Sequence, residues 1–375
     1  MNLVVPLPRA TALLAAILGA LLIFGCAANT PTTPTPTTST PTATAASLEG
    51  QLVVNSCGGL YGEAIQEAYL TPFETATGVD VTYDADCDAQ TTQLAAQAEA
   101  GQVEWDVIAG FGGPVYADLH GQGLLMTIDH DALGSASMNL ADGAIQSYGL
   151  GFHNEAIVLG YRASAFPGET PKIADYFDLT AFPGTRGQTI GGFEDWTRPA
   201  LALVADGVAP ADLIPIDWDG AFAKLDPIKA DVVWYRGGTE MMTVMVENQA
   251  AMCLCSDARM LQAQKLEPDV RLSYDGALRS VIFWAIPVGA PHPNAALEFL
   301  RSTLDPQRQA NFTEVIGYSG VVRASYDLLP AELQTQVLVN PNNFSLTWAF
   351  TAEQDEWLAE NANDASERYA TWTGQ

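Results

Sequence analysis

Positive charge is scarce in this sequence. It has 16 lysines and arginines against 44 aspartates and glutamates, which gives a net charge of −28. Nucleic acids and anionic lipid surfaces require a basic footprint, so this balance excludes both as docking partners. Such a field attracts a cationic solute, although acidity also serves solubility in a salty habitat. Charge alone therefore restricts the partners without identifying one.

Motifs that carry catalysis or metal binding are also missing. No lysine follows a glycine, so there is no GxxxxGK[ST] phosphate loop, and no HExxH occurs. Residues 317–320 are one residue short of a GxSxG nucleophile elbow. The four histidines are scattered, and the cysteine spacing does not suit zinc. We predict that the chain is not an enzyme and holds no metal or cofactor.

The only long apolar run lies at the N-terminus. Residues 12–24 follow a single positive charge and are too few for a stable membrane span. The run ends at Gly25-Cys26 and resembles the lipobox of bacterial lipoproteins, which implies cleavage before Cys26 and a lipid on its sulfur. An ordinary signal peptide with an incidental cysteine is the alternative. We predict a signal peptide over residues 1–25 and a protein anchored by lipid to the outside of the bacterial cell membrane, in the periplasm or at the cell surface.

A tether follows the predicted lipid site. Residues 27–47 are almost all threonine, proline, alanine and serine, without charge or aromatic rings. Such a segment cannot bury apolar surface, and its prolines keep it extended. Residues 26–48 are therefore predicted to link the anchor to a globular domain.

The remainder alternates between strand-like and helix-like patterns. Residues 52–55, 79–83 and 103–109 are predicted strands, and residues 62–76 and 91–100 are predicted helices. This rhythm indicates an α/β fold with mainly parallel sheets flanked by helices, whose ligands bind beyond the carboxyl ends of the strands. Further predicted elements are helices at residues 198–206, 217–225, 237–248 and 352–369 and a strand at residues 232–235.

Five cysteines suit an oxidising compartment. Cys57 and Cys87 each follow a predicted strand, at the same end of what should be neighbouring strands, so we expect a disulfide between them. Cys253 and Cys255 sit two residues apart in an apolar strand. Burial as small hydrophobic side chains is favoured for this pair over a second disulfide.

Several ordered segments resemble the extracellular solute-binding proteins of ABC importers, specifically the spermidine/putrescine-binding branch. The resemblance lies in residues 56–61, 72–79, 176–186, 205–208, 221–229, 317–318, 328–333 and 340–343. It implies a type II periplasmic-binding-protein fold, with crossing hinge strands between two lobes that close on a small solute. By this analogy lobe 1 is residues 49–156 plus 257–320, and lobe 2 is residues 157–256 plus 321–375. The resemblance also implies a monomer that delivers its solute to permease subunits.

The resemblance also implies which residues bind the solute. The positions carried over from the family are Tyr61, Phe111, Glu194, Tyr235, Asp257 and Tyr318. Trp196 is a further candidate aromatic, and Arg236 is a departure from the family's turn after Tyr235. Carboxylates would pair with ammonium groups, and aromatic faces would cover methylene chains. Core packing is the alternative role for each aromatic residue. On this pattern a polyamine-like amine is the favoured solute.

Arg236 favours a different solute. It precedes a predicted helix that begins with two glycines, and an arginine beside a helix N-terminus is a good carboxylate clamp. The alternative solute is therefore a zwitterion or carboxylate such as an ω-amino acid, unless Arg236 forms a structural ion pair with Glu240. An adhesion or scaffold lipoprotein with the same fold is the third alternative.

Overall fold

Two groups of short parallel strands organise the fold. The computed structural model describes residues 47–87, 89–190 and 195–374. In the first group, β1 (Gln51–Asn55) lies between β2 (Asp80–Asp84) and β3 (Val107–Gly112). In the second, β6 (Arg186–Thr189) lies between β7 (Val232–Tyr235) and β8 (Met252–Ser256). Each group forms the sheet of one lobe.

Two long antiparallel strands connect the groups. β5 (Gly149–Arg162) pairs with β9 (Val270–Ala285), while β9 also pairs with β3 and β5 also pairs with β8. Two short strands, β4 (Ile145–Gln146) and β10 (Ser319–Gly320), add to β5. The main sheet order is β2-β1-β3-β9-β5-β8-β6-β7. The α/β architecture with crossing strands that the sequence predicts is the one observed.

Helices follow most of the strands. They are α1 (Gly59–Ile65), a π-helical turn (Gln66–Leu70), α2 (Thr71–Thr77), α3 (Gln90–Ala100), α4 (Gly113–Gly121), α5 (His130–Leu133), α6 (Thr197–Ala205), α7 (Trp218–Leu225), α8 (Gly237–Val246), α9 (Asp257–Leu266), α10 (Pro293–Thr303), α11 (Pro306–Ile316), α12 (Ala331–Gln336), α13 (Pro341–Phe344), α14 (Ala352–Glu360) and α15 (Ala362–Thr373). Short 3-10 helices occupy Ser135–Ser137, Ala163–Ala165, Ile173–Phe177, Pro210–Asp212, Asp226–Asp231 and Arg323–Leu328. No helix in the described part of the chain has the length and apolar character needed to cross a bilayer.

Alternate side chains of the strands enter separate cores. On β1, Leu52 and Val54 pack into a core with α2 and α10, whereas Val53 packs against a second core on the opposite face. On β8, Cys253 and Cys255 enter one core, and Met252 and Leu254 enter another. Both faces of β1 and of β8 are therefore covered, which explains why Leu52 to Val54 and Met252 to Cys255 are apolar without alternation.

Three elements differ from the predicted boundaries by more than two residues. β3 begins at Val107 rather than residue 103, because the preceding Asp106 carboxylate accepts a hydrogen bond from Val53 N–H at 2.7 Å. The first helix begins at Gly59, three residues before the predicted start. The single helix predicted for residues 352–369 is two helices. Asn361 ends α14, where its side chain binds the Trp357 carbonyl at 2.7 Å, and it also precedes α15.

One lobe boundary also differs from the prediction. The sequence assigns residues 257–320 to lobe 1, but side chains of α9 and of the first half of β9 belong to the core of the second group. Met260, Ala263, Val270 and Tyr274 pack there with residues of β8 and α8. The reason is that β9 pairs with β5 along both lobes, so its first half lies in lobe 2.

Asp106 provides a test of how the first lobe is held together. Its fully buried carboxylate accepts hydrogen bonds from Val53 N–H, from His292 N–H at 2.6 Å and from His292 Nδ1 at 2.9 Å. Asp106→Ala should lower the free energy of unfolding by about 3 kcal/mol, because it leaves buried donors without an acceptor.

Urea denaturation measures this loss. Asp206→Ala is the matched control, since its surface ion pair with Lys224 should contribute less than about 1 kcal/mol. Equal effects of the two substitutions would contradict the assigned role of Asp106.

Candidate functional site

Helices of both lobes begin at the carboxyl ends of the parallel strands. In lobe 1, α1 and α4 begin just after β1 and β3; in lobe 2, α8 and α9 begin just after β7 and β8. In open α/β sheets ligands bind at this edge. The site is thus built from helix N-termini and loops of both lobes, with the middle of β5 and β9 between them.

A cavity of about 230 Å³ lies at this position. Its wall includes Gly113, Pro114 and Tyr148 from lobe 1, Trp196 and Thr197 from lobe 2, Asn154, Ile157 and Ser280 from the crossing strands, and Asp355 from α14. Trp196 is the predicted site residue among them. The cavity therefore takes side chains from both lobes and from the hinge.

Glu155 is a charged residue in the middle of β5. It pairs in register with Ser280, and the neighbouring Asn154 and Ile157 line the cavity. Burial raises the pKa of Glu155 to about 7, and repulsion from Asp257 adds to the rise. The Ser256 hydroxyl and the guanidinium groups of Arg259 and Arg198 oppose the shift. A half-buried carboxyl with a raised pKa at a cleft is a candidate for solute recognition.

Arg198 and Arg259 bring positive charge to the same place. Arg198, in the first turn of α6, donates from Nη2 to Thr189 Oγ1 at 2.5 Å, while its buried Nε has no partner among the described residues. Arg259, in the first turn of α9, packs so tightly on α8 that a Cβ on Gly238 would lie 2.5 Å from its Nε. Neither guanidinium forms a salt bridge with a described carboxylate.

Tyr61 and Tyr318 belong to an aromatic cluster beside Glu155. Tyr61 Oη lies 2.8 Å from His153 Nε2, and Tyr318 stacks on His153 with ring centroids 4.4 Å apart. Tyr318 Oη is 2.8 Å from Ser256 Oγ. Burial lowers the pKa of His153 to about 3, so this imidazole is neutral. The structure thus brings these two predicted residues together, with their hydroxyls already bonded within the protein.

Asp257 and Tyr235 have internal partners. Asp257 is fully buried, and its carboxyl accepts from Ala156 N–H at 3.2 Å and from Tyr274 Oη at 3.3 Å. Burial raises the pKa of Asp257 to about 7. Tyr235 donates from its hydroxyl to the Leu254 carbonyl at 2.7 Å. The Asp257 carboxyl is thus already bonded within the protein, and its predicted contact with a solute stays a prediction.

Arg236 and Phe111 have other contacts in the structure. Arg236 is exposed, and its Nη1 lies 3.5 Å from the Ile190 carbonyl. The Glu240 carboxylate accepts from Arg236 backbone N–H at 2.6 Å and so caps α8; the alternative side-chain ion pair is absent from the described contacts. Phe111 packs edge-on against Tyr116. Glu194 lies outside the described residues.

Sequence reasoning missed Glu155, Arg198 and Arg259. One signal for Glu155 was available, since a charged residue within an apolar strand is rarely buried without a role. Both arginines lie in the first turn of a helix that begins near the carboxyl ends of the lobe 2 strands. Their position relative to the strands was therefore the second signal.

Two cysteine pairs are joined in the structure. Cys57 and Cys87 form a disulfide with Cα atoms 4.7 Å apart, which links the loop after β1 to the loop after β2. Cys253 and Cys255, for which burial as thiols was favoured, are both fully buried and are also bonded, with Cα atoms 5.5 Å apart. Across residues 47–87, 89–190 and 195–374, no three histidine, cysteine or acidic side chains gather as a metal site would require.

Comparison with known proteins identifies the family. Residues 68–366 match the model of the bacterial extracellular solute-binding proteins, and the chain belongs to this family of non-enzymatic components of ABC transporters. It is 27% identical over 339 residues to the gamma-aminobutyric acid-binding protein of Pseudomonas aeruginosa, a match that spans 89% of this chain and 94% of that protein.

Solved structures agree with this assignment. The GABA receptor Atu4243 is 26% identical with a TM-score of 0.77, over 86% of this chain and 97% of that one. AgtB of Agrobacterium tumefaciens R10, solved with agropinic acid, is 28% identical with a TM-score of 0.72, over 87% and 99%. The spermidine/putrescine-binding protein PotD of Streptococcus pneumoniae, at 15% identity and a TM-score of 0.68 over 87% and 100%, shows the fold alone. The predicted periplasmic-binding-protein fold is confirmed, and the polyamine branch is the more distant comparison.

The Cys57–Cys87 pair gives a prediction about the first lobe. Peptide mapping without reductant should find these residues joined in natively exported protein. Replacing both by serine should lower stability by about 3 kcal/mol, because a 30-residue separation is no longer closed in the unfolded chain. Cys57→Ser alone should cost as much as the double substitution, and free thiols at both positions would contradict the pairing.

Proposed function

We propose that this chain is the lipid-anchored solute-binding component of an ABC importer for a compact zwitterion, such as γ-aminobutyrate. Membership of the family supports the transport role. The P. aeruginosa relative named for γ-aminobutyric acid matches almost the whole chain, which supports the solute class. The polyamine favoured on sequence grounds has weaker support, since PotD is similar in fold alone.

The observation that carries the solute class is the pair of arginines in lobe 2. Arg198 has a buried Nε without a described partner, and Arg259 has no salt bridge to a described carboxylate. Guanidinium groups bind carboxylates through parallel hydrogen bonds, so both are suited to a solute carboxylate. A polyamine has no group for them, and Asp257 is already bound to Ala156 and Tyr274.

The positions of these groups explain how the solute would be captured between the lobes. Arg198 and Arg259 belong to lobe 2, the loops before α1 and α4 belong to lobe 1, and β5 and β9 run through both. A hinge motion about the two crossing strands would bring both sets of groups onto one solute. The closed form then has interactions with the solute that neither lobe makes alone.

Thermal shift and calorimetry test the solute class. With the detergent-solubilised full-length protein, γ-aminobutyrate at a hundredfold excess over Kd should stabilise the fold by about 2.7 kcal/mol. Putrescine and spermidine should produce no comparable shift. Arg198→Ala and Arg259→Ala should each weaken γ-aminobutyrate binding by roughly 2 kcal/mol, about thirtyfold in Kd, because a desolvated carboxylate loses its partner.

Two further results define the alternatives. Arg368→Ala, which removes a surface arginine paired with Asp364, is the control and should leave binding unchanged. Stabilisation by putrescine alone would establish the polyamine alternative. Absence of any response to the three compounds and to a wider metabolite library would favour an adhesion or scaffold role.

The anchor is a separate part of the proposal. Cys26 lies outside the described residues, and its lipidation would hold the domain beside permease subunits at the membrane. Cys26→Ser should move the protein from the membrane fraction to the soluble extracytoplasmic fraction, which fractionation and immunoblotting measure. Unchanged membrane association of that variant would exclude a lipid on Cys26 as the anchor.

A further inference from the structure

We propose that Glu155 selects the ammonium group of the solute, and that solute capture releases the proton that Glu155 carries in part of the empty molecules. This inference rests on the proposed function, because it assigns the other end of the same zwitterion. Glu155 belongs to the crossing strand β5, whereas the two arginines belong to helices α6 and α9 of lobe 2.

Glu155 occupies the crossing point of the fold. On β5, residues His153 and Asn154 pair with β10 and residues from Ile157 onward pair with β8, so Glu155 lies where the strand passes between lobes. Its partner on β9, Ser280, lines the cavity. A solute held between the lobes therefore passes over this carboxyl whichever lobe it enters from.

The two carboxyl groups are close neighbours. The backbone N–H of Ala156, the residue after Glu155, donates to Asp257 Oδ1 at 3.2 Å. Ser256, the residue before Asp257, is the hydroxyl beside the Glu155 carboxyl. A neighbouring carboxylate opposes ionisation, so Asp257 adds to the rise in the pKa of Glu155.

The surroundings of the pair supply two positive charges and several neutral groups. The groups that face it are Tyr61 from α1, Arg198 from α6, Ser256 from β8, Arg259 from α9, Tyr274 from β9, His153 from β5 and Tyr318 before β10. Burial and mutual repulsion place the pKa of Glu155 near 7, despite both arginines. When a solute carboxylate engages the arginines, their support for Glu155 ionisation weakens and an ammonium group must replace it.

The proton balance of capture follows. With a pKa of about 7, Glu155 carries a proton in about half of the empty molecules at pH 7. The solute arrives with its ammonium group already charged and pairs with the Glu155 carboxylate, so the proton of a protonated Glu155 passes to the solvent. Because protonated Glu155 cannot form this ion pair, affinity should fall by about tenfold for each pH unit below 6.

Calorimetry of γ-aminobutyrate binding in phosphate and in Tris measures the released protons, since the two buffers differ in ionisation enthalpy. We expect about half a proton released per solute at pH 7 and close to none at pH 8.5. Binding of γ-aminobutyrate without any buffer dependence at pH 7 would overturn the inference while leaving the proposed function in place. Absence of binding would overturn both.

Substitutions of Glu155 test whether this residue carries the released proton and whether it selects the ammonium group. Glu155→Gln should abolish proton release and weaken γ-aminobutyrate binding about thirtyfold, with little effect on butyrate, which lacks the ammonium group. Glu155→Asp should keep proton release, and Glu169→Gln, at an exposed position, should behave as wild type. Equal losses for γ-aminobutyrate and butyrate would contradict ammonium selection.

The melting temperature of the solute-free protein tests the role of Glu155 in folding, independently of solute binding. A carboxyl whose pKa is raised on folding contributes stability at low pH that is lost as pH rises toward 7. Glu155→Gln should therefore raise the melting temperature of the solute-free protein at pH 8 more than at pH 5. A lower melting temperature at both pH values would show that Glu155 is a structural residue, which would overturn its assignment to the solute.

Discussion

The antiparallel pairing of β5 and β9 is the constraint on which the rest of this structure depends. The two strands run side by side through both lobes, and every parallel strand is attached to one of them directly or through one or two neighbours. Because their pairing extends through both lobes, with register shifts between Gly151 and His153 and between Ile157 and Leu159, the lobes share one sheet while each keeps its own cores. A hinge made of two paired strands permits closure but fixes which side chains lie between the lobes.

Charged side chains are energetically costly where β5 passes between the lobes, so their presence there indicates a function. Asp257 is fully buried and Glu155 is half-buried near two arginines, and among the described residues no salt bridge joins these four side chains. Burying unpaired charge destabilises a fold unless a ligand completes the pairing. A site that is electrostatically incomplete when empty gains more from the correct solute than a site already satisfied, which is a physical basis for selectivity.

Much of the fold was predictable because it depends on local pattern. Strand β7 occupies the predicted residues, and the Thr351–Gln354 capping box that begins α14 is present in the structure. The prediction of one helix at residues 352–369 was wrong at Asn361. The apolar periodicity continues through this residue, but its side-chain amide binds the Trp357 carbonyl and ends the first helix. Local pattern predicts that a helix exists better than where it stops.

By itself the sequence determined the type of compartment, the α/β class and the edge of the sheet at which ligands bind. These conclusions depend on patterns that can be read along contiguous residues. Only the tertiary structure decided which charges share the site. Asp257 reaches the backbone of Ala156 across 101 residues, a contact that the sequence pattern does not reveal. The same contact places a carboxyl beside Glu155, whose environment comes from residues far away in the chain. Burial and neighbouring charge set a carboxyl's behaviour, and both are created by folding.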